Sequence, residues 1–85
     1  MTLQLLFFAS LREALGVERE SVQIPPSVTT TGELQVWLAA RGGAWAQALA
    51  SGKAVRVAVD QVLGGPETAL RDGAEVAFFP PVTGG

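Results

Sequence analysis

Leu3, Leu5 and Phe7 alternate with Gln4, Leu6 and Phe8, a period of two that predicts a strand over residues 3–8. Ser10 followed by Glu13 has the spacing of a capping box, and Leu11, Ala14 and Leu15 form a short apolar stripe ending at Gly16, so a brief helix is expected next. Residues 17–24 alternate more weakly, with Glu18, Glu20 and Val22 on one face and Val17, Arg19, Ser21 and Gln23 on the other. Charge on both faces suits an edge strand, where it discourages pairing with another chain. Pro25, Pro26 and Ser27 stop that strand, and Thr30 with Glu33 repeats the capping spacing ahead of Leu34, Trp37, Leu38 and Arg41. Gly42 and Gly43 are expected to cap this second helix. Residues 45–50 are rich in helix formers, with Gly52 placed to close a third.

Val55, Val57 and Val59 then alternate with Ala54, Arg56 and Ala58 as a strand, Asp60 and Gln61 supply a turn, and Val62 and Leu63 form a short return. Gly64, Gly65 and Pro66 read as a turn, as do Asp72 and Gly73, before a last strand over residues 74–79 with Ala74, Val76 and Phe78 on one face. Strands and helices in this order predict an α+β fold, one mixed sheet with helices packed on one side. The period of two sends Leu3, Leu5, Phe7, Val76 and Phe78 toward those helices. It leaves Leu6, Phe8, Ala77 and Phe79 on the open face, where Leu63 can join them. Large apolar side chains on an uncovered face are costly in a free monomer, so Phe8, Leu63 and Phe79 are candidate partner-binding residues.

Composition sharpens this. With 85 residues the chain has room for one domain, and its 48% hydrophobic against 16% charged residues should fold while leaving apolar surface uncovered. A net charge of −2, with six basic residues spread singly, provides no stripe to neutralise a row of phosphates, so nucleic acid is not an expected partner. The absence of His, Cys and Tyr removes the commonest general base, the thiolate nucleophile and most imidazole or soft metal ligands; no metal site is expected. No apolar run is long enough to span a bilayer and no targeting segment is apparent, which suits a soluble cytoplasmic protein. Glu18 with Glu20, and Asp72 with Glu75, lack an acid–base partner or metal spacing and read as solvated charges. Lys53 reads as a solvated loop charge, and Trp37 and Trp45 as packing residues.

Residues 1–79 account for the expected domain, and residues 80–85 form a tail. Pro80 and Pro81 stiffen the exit, Val82 and Thr83 follow, and Gly84 and Gly85 offer backbone that can pass where a Cβ would clash. Six extended residues reach about 20 Å. Such a tail suits insertion into another protein's active site, with the terminal carboxylate as its reactive group. A carboxylate is a poor acyl donor until a second protein installs a leaving group.

The run Phe7-Phe8-Ala9-Ser10-Leu11-Arg12-Glu13, the triplet Val59-Asp60-Gln61, and the closing stretch from Asp72-Gly73-Ala74-Glu75-Val76-Ala77-Phe78-Phe79 through Pro80-Pro81-Val82-Thr83-Gly84-Gly85 together resemble the small subunits of molybdopterin synthases. The resemblance spans the chain in order and length, and its closing motif is its most specific part. It implies a β-grasp, ubiquitin-like sulfur carrier. In that family the terminal glycine, here Gly85, is adenylated by an ATP-using activating enzyme and converted to a thiocarboxylate. The tail then enters the large synthase subunit, which supplies the catalytic residues, and sulfur passes to a pterin precursor. Two small and two large subunits assemble, and the carrier itself holds no cofactor stably. A sulfur carrier for thiazole synthesis and a ubiquitin-like modifier joined to protein lysines share the tail, and an interaction module without terminal chemistry is a further alternative.

Overall fold

The apolar alternation at the start of the chain forms strand β1 (Thr2–Phe7), with Leu3, Leu5 and Phe7 fully buried and Gln4 exposed. The computed structural model, which describes residues 1–50 and 54–81, continues through α1 (Ala9–Leu15), β2 (Arg19–Gln23), α2 (Thr31–Ala39), α3 (Gly43–Leu49), β3 (Arg56–Val59), β4 (Val62–Gly64) and β5 (Glu75–Phe79). This is the expected order of elements. The strands form one five-stranded sheet in the order β2-β1-β5-β3-β4, in which β1 and β5 run parallel and the other neighbours antiparallel. The result is the mixed α+β sheet of a β-grasp, with β2 at an edge as its charges foretold.

Local chemistry explains where the elements begin and end, and corrects three expectations. Ser10 does not cap α1. Phe8 occupies the N-cap with no side-chain hydrogen bond, its N–H donating to the Phe78 carbonyl at 3.1 Å while its own carbonyl accepts from Leu11 and Arg12. The sheet therefore hands the chain directly to the helix, and Ala9 takes the turn at φ 51°. Gly16, at φ 72°, closes the helix as expected. Gly42 and Gly43 do adopt left-handed conformations, at φ 82° and 54°, but α2 has already stopped at Ala40 and the pair instead opens α3. Gly52, the expected closing residue of α3, lies outside the described residues. Gly64 sits inside β4, opposite Val57, rather than in a turn, and glycine suits it because a Cβ there would run into the Thr68 side chain.

The capping box at α2 is complete. Thr30 Oγ1 accepts from the Glu33 N–H at 3.2 Å, and Glu33 Oε1 accepts from the Thr30 N–H at 3.2 Å and from the Thr29 N–H at 2.8 Å. Thr30→Ala is therefore expected to cost about 1 kcal/mol, lowering Tm by roughly 4–8 °C in a domain of this size; a thermal melt checks it. Helix and sheet enclose a core in which Phe7 stacks on Phe78 at 5.7 Å and meets the Trp45 ring edge-on at 5.4 Å. Leu34 and Leu38 of α2 and Leu49 of α3 complete it on the helix side.

Candidate functional site

Period two puts the residues that do not enter this core on the opposite face of the sheet, and the register aligns them. Leu6 lies beside Ala77, Ala77 beside Ala58 and Ala58 beside Leu63, a row of apolar residues crossing four strands. The next row sets Phe79 beside Arg56. Phe8 follows β1 on Phe79's other flank, held there by its bond to Phe78. Phe8 is 46% exposed and Leu63 62%. Leu6 and Phe79 are half-buried, and Ala58 and Ala77 are buried despite facing outward, since a methyl group sits low among larger neighbours. The three candidate docking residues thus share one face, Phe79 being the most sheltered.

The chain leaves β5 next to the Phe8–Phe79 pair, through half-buried Pro80 and Pro81. Val82, Thr83, Gly84 and Gly85, like Lys53, lie outside the described residues. Among the described residues no group of His, Cys, Asp and Glu side chains could hold a metal ion, and no helix is long and apolar enough to cross a membrane.

The charged residues serve the framework. Glu20, expected to be solvated, instead takes two hydrogen bonds from Arg41, Nη2 to Oε2 at 2.6 Å and Nη1 to Oε1 at 3.0 Å. The Arg41 guanidinium lies 4.4 Å from the Trp45 ring centre and 5.8 Å from that of Trp37, so one cation ties β2 to both tryptophans. Asp60 Oδ1 accepts the Glu75 N–H at 3.0 Å and Oδ2 accepts from Arg71 at 2.9 Å, fixing the β3–β4 turn to the start of β5. Neither pair is visible to local patterning; only the turn chemistry of Asp60 hinted at its place.

These bonds hold three carboxyls below their ordinary range: Glu20 through Arg41, Glu33 chiefly through the Thr29 N–H, and Asp60 through the Glu75 N–H and then Arg71. A carboxyl with a depressed folded pKa contributes stability that is complete above its unfolded value, 4.5 for Glu and 3.8 for Asp, and is lost as pH falls through the folded value. The urea midpoint is thus expected to hold from neutrality to the ordinary carboxylate range and to decline below it. A midpoint that rises on acidification would contradict these bonds.

The described domain therefore has an apolar face beside the point where the chain leaves β5, while Glu20, Arg41, Glu33, Asp60 and Arg71 hold the frame. Residues 5–85 match the ThiS family. The chain is 45% identical to the molybdopterin synthase sulfur carrier subunit of Haemophilus influenzae over 83 residues, 98% of this chain and 99% of the relative. Its identity to the Escherichia coli protein of the same name is 42%, with the same coverage. Among solved structures, the complex of subunits 1 and 2 of molybdopterin-converting factor from Helicobacter pylori aligns over 100% of both chains with a TM-score of 0.66 and 22% identity, a likeness of fold.

Proposed function

The chain belongs to the ThiS family, and from that premise we propose that it is the sulfur carrier subunit of a molybdopterin synthase. The observation that carries this reading is 45% identity to a carrier of that name from end to end. The apolar face beside the tail exit supports it. In the proposed cycle the Gly85 carboxylate attacks ATP in an activating enzyme, pyrophosphate leaves, and a sulfur donor displaces AMP to leave a thiocarboxylate. The tail then enters the large synthase subunit, whose residues catalyse transfer of the sulfur to a pterin precursor. ATP is the activating enzyme's substrate, and the carrier retains no cofactor.

This chain's residues bind and orient. Phe8, Leu63 and Phe79 dock on the partner, Pro80 and Pro81 restrict the φ angles of the exit, and Val82 and Thr83 lead to Gly84, whose lack of a Cβ suits a narrow channel. Both partners must reach the same carboxylate, so both use the face beside it and exclude one another. Two carriers and two large subunits form the cytoplasmic synthase.

Intact mass after co-expression with the sulfur machinery tests the reading. The expected product is heavier by the difference between sulfur and oxygen, located at Gly85. An unchanged carboxyl, or Gly85 joined to lysines of other proteins, would overturn it. Docking has its own test. Phe79→Asp is expected to weaken binding to the large subunit by tenfold or more, since a charge is desolvated at an aromatic anchor. Its Tm should move little, because Phe79 lies outside the core cluster. Unchanged affinity with a large loss of Tm would reverse the face assignment.

A further inference from the structure

The two edges of the sheet are not alike. β2 carries Arg19 and Glu20, with Glu18 just before it, whereas β4 reads Val62-Leu63-Gly64, exposed throughout and without a charge. Val62 is 68% exposed and Leu63 62%. Natural sheets blunt their edges with short strands, charge, proline or a covering segment. β4 is short and Thr68 lies against Gly64, but its strand residues carry neither charge nor proline, and Val62 and Leu63 stay open.

The register shows which backbone groups face outward. Asp60 and Gln61, at φ 49° and 69°, form a two-residue turn closed by Val59 opposite Val62. In such a hairpin the closing residues exchange hydrogen bonds, as do Val57 and Gly64 two positions on, whereas the Ala58–Leu63 pair between them does not. The Asp60 N–H, which donates to the Glu75 carbonyl at 2.8 Å, fixes the same phase on β3's other side, so Ala58 bonds to β5. The Leu63 N–H and carbonyl therefore point away from the sheet. Beside them is an open cavity of about 480 Å³ lined mainly by Val59, Val62, Leu63, Ala69 and Leu70, with the ion-paired Asp60 and Arg71 also on its wall.

We propose that β4 is a strand-addition edge, on which an extended apolar segment of the large synthase subunit pairs with the Leu63 backbone and sets a side chain into this cavity. The assignment rests on the carrier reading above. The large subunit is the occupant proposed, since Leu63 closes the same cross-strand row as Leu6, Ala77 and Ala58 and a protein seated on the open face arrives at this edge without a break. Protection of Leu63 by the activating enzyme and not by the large subunit would overturn that choice. A second copy of the chain is disfavoured: one outward residue per edge gives a self-paired dimer a single pair of hydrogen bonds, with no docked face to assist it.

Amide exchange of the carrier alone and bound to the large subunit tests the pairing. The Leu63 amide should exchange freely in the carrier and become protected in the complex. In parallel, Leu63→Ala removes the side chain alone, and Leu63→Pro removes the outward N–H as well while sparing the bonds to β3. The proline variant is expected to bind the large subunit about fivefold to tenfold more weakly than the alanine variant. A Leu63 amide left unprotected in the complex overturns the proposal even if the proline variant fails to fold. So does equal affinity of two folded variants. Retained sensitivity to Phe79→Asp would then show that face docking stands without edge pairing, whereas insensitivity to Phe79→Asp would count against the docking reading itself. Protection of Leu63 in the carrier alone that grows with concentration would instead identify a second copy as the occupant.

Discussion

A chain shortened by Gly85 is expected to melt with the full-length protein and to yield no molybdopterin when supplied to the activating enzyme and the large subunit. Among the described residues the core that sets the melting temperature closes at Phe78, and β5 ends at Phe79, six positions before Gly85, so little loss of stability is expected. The proposed chemistry would fail completely. The carboxylate of a chain ending at Gly84 falls short by one residue, roughly 3.5 Å of reach, and a reacting atom misplaced by even 1 Å can cost about a hundredfold in rate. Gly84→Ala separates reach from clearance: the length is kept, a Cβ is added, and a slower reaction with an unchanged melt is expected. Normal product formation by the truncated chain would remove Gly85 from the chemistry.

Phe78→Ala should do the reverse and strongly destabilise the fold while leaving the tail's sequence intact. Phe78 is fully buried, stacks on Phe7, and pairs with Phe7 on one side and Val57 on the other, so it joins three strands. Truncating a buried phenylalanine costs about 3–5 kcal/mol, against a total of roughly 4–13 kcal/mol for a chain of this length. A large drop in the urea midpoint is expected, with Phe78→Leu recovering part of it. A loss below about 1 kcal/mol would show that the core collapses around the cavity more readily than such cores do.

What could be read from the sequence was what neighbours in sequence determine. Alternation placed Leu3, Leu5, Phe7, Val76 and Phe78 on the buried face, and Thr30 with Glu33 marked a helix start that the structure completes bond by bond. The identical spacing of Ser10 and Glu13 misled, because the backbone preceding that helix is tied to Phe78, 70 positions from Phe8. Gly42 and Gly43 were rightly seen as left-handed, but local rules do not say whether such a pair ends one helix or begins the next. The Glu20–Arg41 pair joins residues 21 positions apart, and the need for glycine at position 64 comes from Thr68 folding back over it. The docking face was legible as a set of residues. The half-burial of Phe79 was not, because it depends on which strands become neighbours.

The parallel pairing of β1 with β5 gives the molecule a sense of its own completeness. Gln4 lies opposite Glu75, so the central ladder of the sheet joins positions 71 apart and cannot form until nearly the whole chain is available. Pairings so distant in sequence are slow to nucleate and come late. During synthesis β1 can pair with β2 but lacks its central partner until β5 emerges, and the apolar face assembles only when that strand arrives. A chain broken off earlier lacks the tail and the surface that would present it. A partner that grips Phe8 and Phe79 together thereby selects molecules that have been made through to their final strand.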